Sequence, residues 1–66
     1  MNKWIARTGK EVGAAYSTKS ERDAATEFAR SHRLSIANAF ERRLCRKDVV
    51  AELVRLFEQA KGDQLD

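Results

Sequence analysis

The sequence predicts an all-α protein, and three observations carry that reading. Apolar residues recur at helical spacing in four segments, a residue able to cap a helix stands ahead of each, and none of the 66 residues is proline. The expected helices cover about 9–17, 20–31, 35–46 and 48–61, with the last two open to being one continuous helix. The whole chain, 1–66, reads as one small domain, with 62–66 as a flexible tail.

Each element has its own warrant. Met1–Arg7 is expected to fray, although Trp4 and Ile5 are apolar enough to dock on something. Thr8-Gly9-Lys10-Glu11 matches the capping box, in which the threonine oxygen accepts an orphan amide proton and the glutamate reaches back. Val12, Ala15 and Tyr16 then fall at i, i+3 and i+4, which predicts a helix over 9–17 that Gly13 weakens by roughly 1 kcal/mol relative to alanine. The alternation of Val12, Ala14, Tyr16 and Thr18 leaves a strand open as the competing reading, disfavoured because glycine and alanine are poor strand formers.

Thr18-x-x-Glu21 and Ser20-x-x-Asp23 both offer a start for the second helix, with acidic groups placed to suit its dipole. It runs to about Ser31, with Ala24, Ala25, Phe28 and Ala29 facing inward. The periodicity resets at His32–Ser35, where Leu34 reads as a buried turn residue and Ser35 as an N-cap. Ile36, Phe40 and Leu44 then repeat at i, i+4 and i+8, opposite Asn38, Glu41, Arg42, Arg43 and Arg46. Asp48 caps the next apolar set: Val49, Val50, Leu53, Val54, Leu56 and Phe57. Lys61 and Gly62 are its stop signals. The early and late apolar stripes differ in direction by roughly a quarter turn, which requires either a break near Lys47–Asp48 or two different partners for the two halves.

A domain of this size buries only about 60% of the surface its unfolded chain exposes, so a lone monomer is marginal. Cys45 is the only cysteine and His32 the only histidine, which excludes an intrachain disulfide and a Cys/His zinc site. Self-association remains, and the expectation is a homodimer or a complex with a partner protein. Six large apolar residues within nine positions exceed what one helix face needs. Val50, Leu53, Val54 and Phe57 are therefore the expected dimer or partner interface, with packing inside the chain as the alternative. A lone thiol and the lack of an apolar run for a signal peptide or of a window of ~20 apolar residues fit a cytoplasmic setting, and no membrane partner is expected.

The net charge of +3 hides an asymmetry. Residues 1–47 carry eleven Lys and Arg against five Asp and Glu, a net of +6, whereas 48–66 carry two against five, a net of −3. A basic body with an acidic end fits either a polyanion-facing surface or plain solvation of helical faces.

The run Phe28-Ala29-Arg30-Ser31-His32-Arg33-Leu34-Ser35, with Arg43-Leu44 eight residues on, resembles small DNA-binding regulators of phage or plasmid type. Two classes fit. In the helix-turn-helix class Ala29 is the small residue of the first helix and 36–46 the recognition helix. The turn lacks glycine, so His32 or Arg33 would take the left-handed conformation at a cost of roughly 1–2 kcal/mol. The ribbon-helix-helix class implies a strand upstream, where Gly13-Ala14-Ala15-Tyr16 is a weak strand former.

The resemblance implies duplex DNA as partner, contacted through 30–47, and transcription regulation as the role. Asn38 is suited to bond adenine, and Arg42 guanine, at two points each. Arg30, Arg33, Arg43, Arg46 and Lys47 are the candidate phosphate contacts, which position without specifying. The alternative is a protein-interaction module, an antitoxin or a phage-encoded inhibitor of a host protein, that binds no nucleic acid. No cofactor, metal or enzymatic activity is expected: His32 and Cys45 have no carboxylates gathered around them at a catalytic spacing. Whether Cys45 beside Arg46 is reactive is left open, a small helical packing residue being the commoner role.

Overall fold

The computed structural model describes residues 2–64. It is all-helical, with four helices among the described residues: α1 (Asn2–Ala14), α2 (Lys19–Ser31), α3 (Arg33–Glu41) and α4 (Arg46–Gln64). None is long and apolar enough to cross a membrane.

α1 begins seven residues earlier than the capping box implied and ends at Ala14 rather than at 17; of the alternating set open to a strand, Val12 and Ala14 are helical, while Tyr16 and Thr18 lie in the turn that follows. Thr8 is not a cap. It is fully buried on the same face as Ile5 and Val12, and its hydroxyl donates to the Trp4 carbonyl at 2.7 Å, so the helix satisfies its own buried polar group. The expected fraying of Met1–Arg7 gives way to packing: Ile5 joins the core, and the Trp4 ring meets Phe40 edge-on at 5.4 Å. Met1 lies outside the described residues.

Thr18 does act as a cap. Its oxygen accepts from the Glu21 amide at 3.3 Å and its hydroxyl meets the Glu21 carboxylate at 3.2 Å, starting α2 at Lys19. Ala25 and Ala29 are buried, Phe28 is half-buried, and Ala24, expected inside, faces out. α2 packs closely on α1 because small residues meet there, Gly9 and Gly13 lying against the Thr26–Ala29 side of α2.

The break between α2 and α3 is one residue, His32, rather than four. Its amide donates to the Ala29 carbonyl and its own carbonyl accepts from Ile36, both at 3.0 Å, so the chain bends without losing its hydrogen bonds. Nδ1 stands 2.9 Å from the Phe28 carbonyl, which fixes the ring against Phe28 at 4.5 Å. α3 therefore starts at Arg33, and Ser35 is not its cap. Of the residues expected inside, only Ile36 is fully buried; Leu34 is 80% exposed, Leu44 50% and Phe40 40%.

α3 stops at Glu41, well short of 46. The Leu44 amide bonds the Ala39 carbonyl and the Arg43 amide bonds the Phe40 carbonyl, both at 3.0 Å, with Arg43 at φ 59°. That is a Schellman ending with arginine where glycine is usual. The left-handed residue thus sits after α3, not at His32 or Arg33. The two last helices are separate, and the break falls at Arg42–Cys45 rather than Lys47–Asp48. Cys45 is exposed in this joint instead of packed in a helix. Its carbonyl takes the Asp48 and Val49 amides, and Asp48 lies inside the first turn of α4, where its charge suits the dipole. Gly62 does not stop α4, which continues to Gln64; the remainder of the expected tail, Leu65 and Asp66, lies outside the described residues.

The core comprises Ile5, Val12, Ala25, Ala29, Ile36, Leu53 and Phe57. Two of the four residues expected at an interface, Leu53 and Phe57, belong to it. Leu53 and Phe57 are buried in the chain's own interior, with Val50 and Val54 packed half-buried beside them, so the apolar stripe of α4 completes the fold. Phe57 meets Tyr16 edge-on and Phe28 at a tilt, each at 5.3 Å.

One polar cluster fastens the ends of the bundle. Lys61 Nζ lies 3.0 Å from Glu21 and 3.3 Å from Glu58, and the Tyr16 hydroxyl donates to Glu58 at 2.6 Å. Burial, and then the bond to Glu58, pushes the Tyr16 phenol up to about 12. The Tyr16 bond first, with Lys61 adding to it, holds the Glu58 carboxyl below its ordinary value, and the Lys61 bond does the same for Glu21. Glu21 in turn raises Lys61.

Candidate nucleic-acid interface

Three helices bring cations together that the sequence keeps far apart. On α1, Lys3, Arg7 and Lys10 recur at i, i+4 and i+7, which places them on one face, turned away from Ile5, Thr8 and Val12. The antiparallel contact with α2 lays Arg30 beside that face: its Cγ lies 3.6 Å from where a Gly9 Cβ would stand. Two shallow depressions result. One is lined by Ile5, Ala6, Arg30 and Arg33, the other by Lys3, Ala6, Arg7, Lys10, Thr26 and Arg30. They share Ala6 and Arg30, so they form one continuous surface, and among the described residues no carboxylate lines either. The nearest counter-charge to Arg30 among the described residues is Glu27, one turn away on α2 at 3.9 Å, with both side chains more than half exposed.

The seven residues expected to meet DNA divide into three groups. Arg30 and Arg33 belong to this surface. Asn38, Arg42, Arg43 and Lys47 are exposed around the α3–α4 joint, where the Arg42 amide bonds the Asn38 carbonyl at 3.0 Å. A single recognition helix over 36–46 does not form, since Arg42 and Arg43 belong to the turn and Arg46 opens α4. Arg46 stands apart: its guanidinium holds Glu11 of α1 at 2.5 Å, so its charge is already met and it ties α4 to α1.

Lys3, Arg7 and Lys10 were missed as site residues. Their spacing was visible, but Thr8 read as a cap placed Lys3 and Arg7 in a fraying end. Chemically, the surface is a set of five long flexible cations around a small apolar floor at Ala6 and Ile5, which fits phosphate oxygens along a backbone. Comparison with protein-family models, with curated proteins and with solved structures returns no match.

Proposed function

We propose that this protein binds double-stranded DNA as a small regulator, with Lys3, Arg7, Lys10, Arg30 and Arg33 holding the phosphate backbone. What supports this reading is one observation: cations from residues 3–10 and 30–33 converge on a continuous surface that no carboxylate of the described residues lines. Charge that was merely solvating would have no need to cluster across two helix contacts. Asn38 and Arg42, exposed one helical turn apart at the end of α3, are the base-reading candidates, and Arg43 and Lys47 extend the phosphate contacts past the joint.

The test is duplex binding titrated against salt. The log of the binding constant is expected to fall linearly with log salt, with a slope of about −0.9 for each phosphate neutralised. Absence of binding to mixed-sequence duplex at low salt would sink this proposal and leave the protein-interaction module. Tighter binding to single strands or RNA than to duplex would reassign the surface.

A further inference from the structure

A groove of about 360 Å³ opens between α3 and α4. Ile36 and Leu53 form its floor, Leu44 and Leu56 its walls, and Asp48 and Glu52 stand among its lining. Elsewhere, Leu34 is the most exposed of the large apolar side chains among the described residues, at 80%, and it stands next to Arg33. An apolar hollow with carboxylates and an apolar knob beside a cation are complementary in both shape and charge. Glu52 already holds Arg55 on its own helix, which leaves Asp48 as the carboxylate offered to an incoming arginine.

We propose that, in the absence of nucleic acid, this groove receives Leu34 of a second copy of the chain, with the second copy's Arg33 set against Asp48. Knob and hollow lie on different sides of α3. Residues 32, 35, 36 and 39 line the groove, while residue 34 projects roughly 140° around the helix from their centre. The contact is therefore head-to-tail: each copy offers its knob to one neighbour and its groove to another. This differs from the expected pairing through Leu53 and Phe57, which the core has taken. A contact resting on one apolar anchor is weak, so association rises steadily with protein concentration and does not stop at two.

Sedimentation equilibrium of the full chain, free of nucleic acid, tests this over about a hundredfold range of concentration. The wild type is expected to rise from the 7.5 kDa of one chain to more than twice that mass. Leu34→Gln and Leu44→Gln are each expected to remain at one chain, with helical circular dichroism unchanged because both side chains are exposed. Ser35→Phe, which plugs the groove from an exposed position, is expected to do the same by another route. The decisive sample is an equal mixture of the two leucine variants. The first supplies an intact groove and the second an intact knob, so the mixture is expected to reach two chains and go no further. A wild type that stays at one chain throughout overturns the proposal. So do Leu34→Gln associating as strongly as wild type and a mixture that stays at one chain.

Discussion

A Cβ on Gly13 would overlap the Thr26 hydroxyl across the α1–α2 contact and come within 3.0 Å of the Arg22 carbonyl oxygen. Neither neighbour gives way easily. Thr26 is β-branched and its hydroxyl donates to that same carbonyl at 2.8 Å, and the carbonyl belongs to the backbone of α2. Gly9, one turn earlier, has ordinary room, its nearest contact being Arg30 Cγ at 3.6 Å. The two glycines therefore respond oppositely to alanine. Gly13→Ala is expected to lower the unfolding free energy by about 1–2 kcal/mol despite the gain in helix propensity, whereas Gly9→Ala is expected to raise it by up to about 1 kcal/mol. Urea denaturation of both variants checks this; equal effects would mean that the helices do not approach so closely at Gly13.

The all-α class and the start of α2 were legible because they rest on local chemistry. Thr18 and Glu21 satisfy each other within three residues, and nothing distant can change that. Thr8 and Glu11 present the same letters and mean something else, because Ile5 and Val12 place Thr8 on the inward face. Only the packing decides between a cap and a core threonine. The end of α3 was hidden for another reason: the left-handed position carries Arg43, so the glycine that normally marks a helix stop is missing. Leu34 misled through its composition, being apolar yet outside the periodic set of Ile36, Phe40 and Leu44. The basic surface was half legible, since Arg30 and Arg33 lie within the basic run, but their neighbours on α1 are distant in sequence.

Arg43 offers a direct check on the α3–α4 joint. At φ 59° a side chain costs roughly 1 kcal/mol, and a β-branched one costs more. Arg43→Gly is expected to leave stability unchanged or raise it by up to about 1 kcal/mol, offset in part by the entropy of an added glycine. Arg43→Val is expected to lower it by about 1–2 kcal/mol. Both variants lose the same charge, so a common shift would point to electrostatics instead of backbone conformation. Thermal unfolding of the pair suffices.

The cluster at Lys61 predicts a pH signature. Glu58 and Glu21 are held below their ordinary 4.5, so their contribution to stability is present above that value and is lost as pH falls through their folded-state values. Tyr16 runs the other way: raised from 10.0 to about 12, it contributes below 10.0 and loses that contribution as pH rises toward 12. Tyr16→Phe removes the hydroxyl that does most to depress Glu58. The variant is expected to be less stable than wild type at neutral pH, with the gap closing as pH falls from 4.5 through the lower folded-state value of Glu58. Urea midpoints measured from acid to neutral pH would show this, and a gap independent of pH would remove the Tyr16–Glu58 bond from the account.

Arg30 and Arg46 looked equivalent in the sequence, and the fold separates them. Arg30 lies between the two depressions of the basic surface, with only an exposed glutamate 3.9 Å away. Arg46 is committed to Glu11 at 2.5 Å. Arg30→Ala is expected to weaken duplex binding at low salt uniformly across sequences and to reduce the salt slope by about 0.9. Lys10→Ala, which removes a second cation from the same surface, should by itself reduce the slope by a similar amount. Arg46→Ala should leave the slope unchanged and instead lower the unfolding midpoint, by releasing α4 from α1. Asn38→Ala and Arg42→Ala should flatten the preference between duplex sequences by about 1–3 kcal/mol at one base pair each. If Arg46→Ala lowers the slope and Arg30→Ala does not, the DNA lies against the α3–α4 joint and the α1–α2 surface is solvated charge.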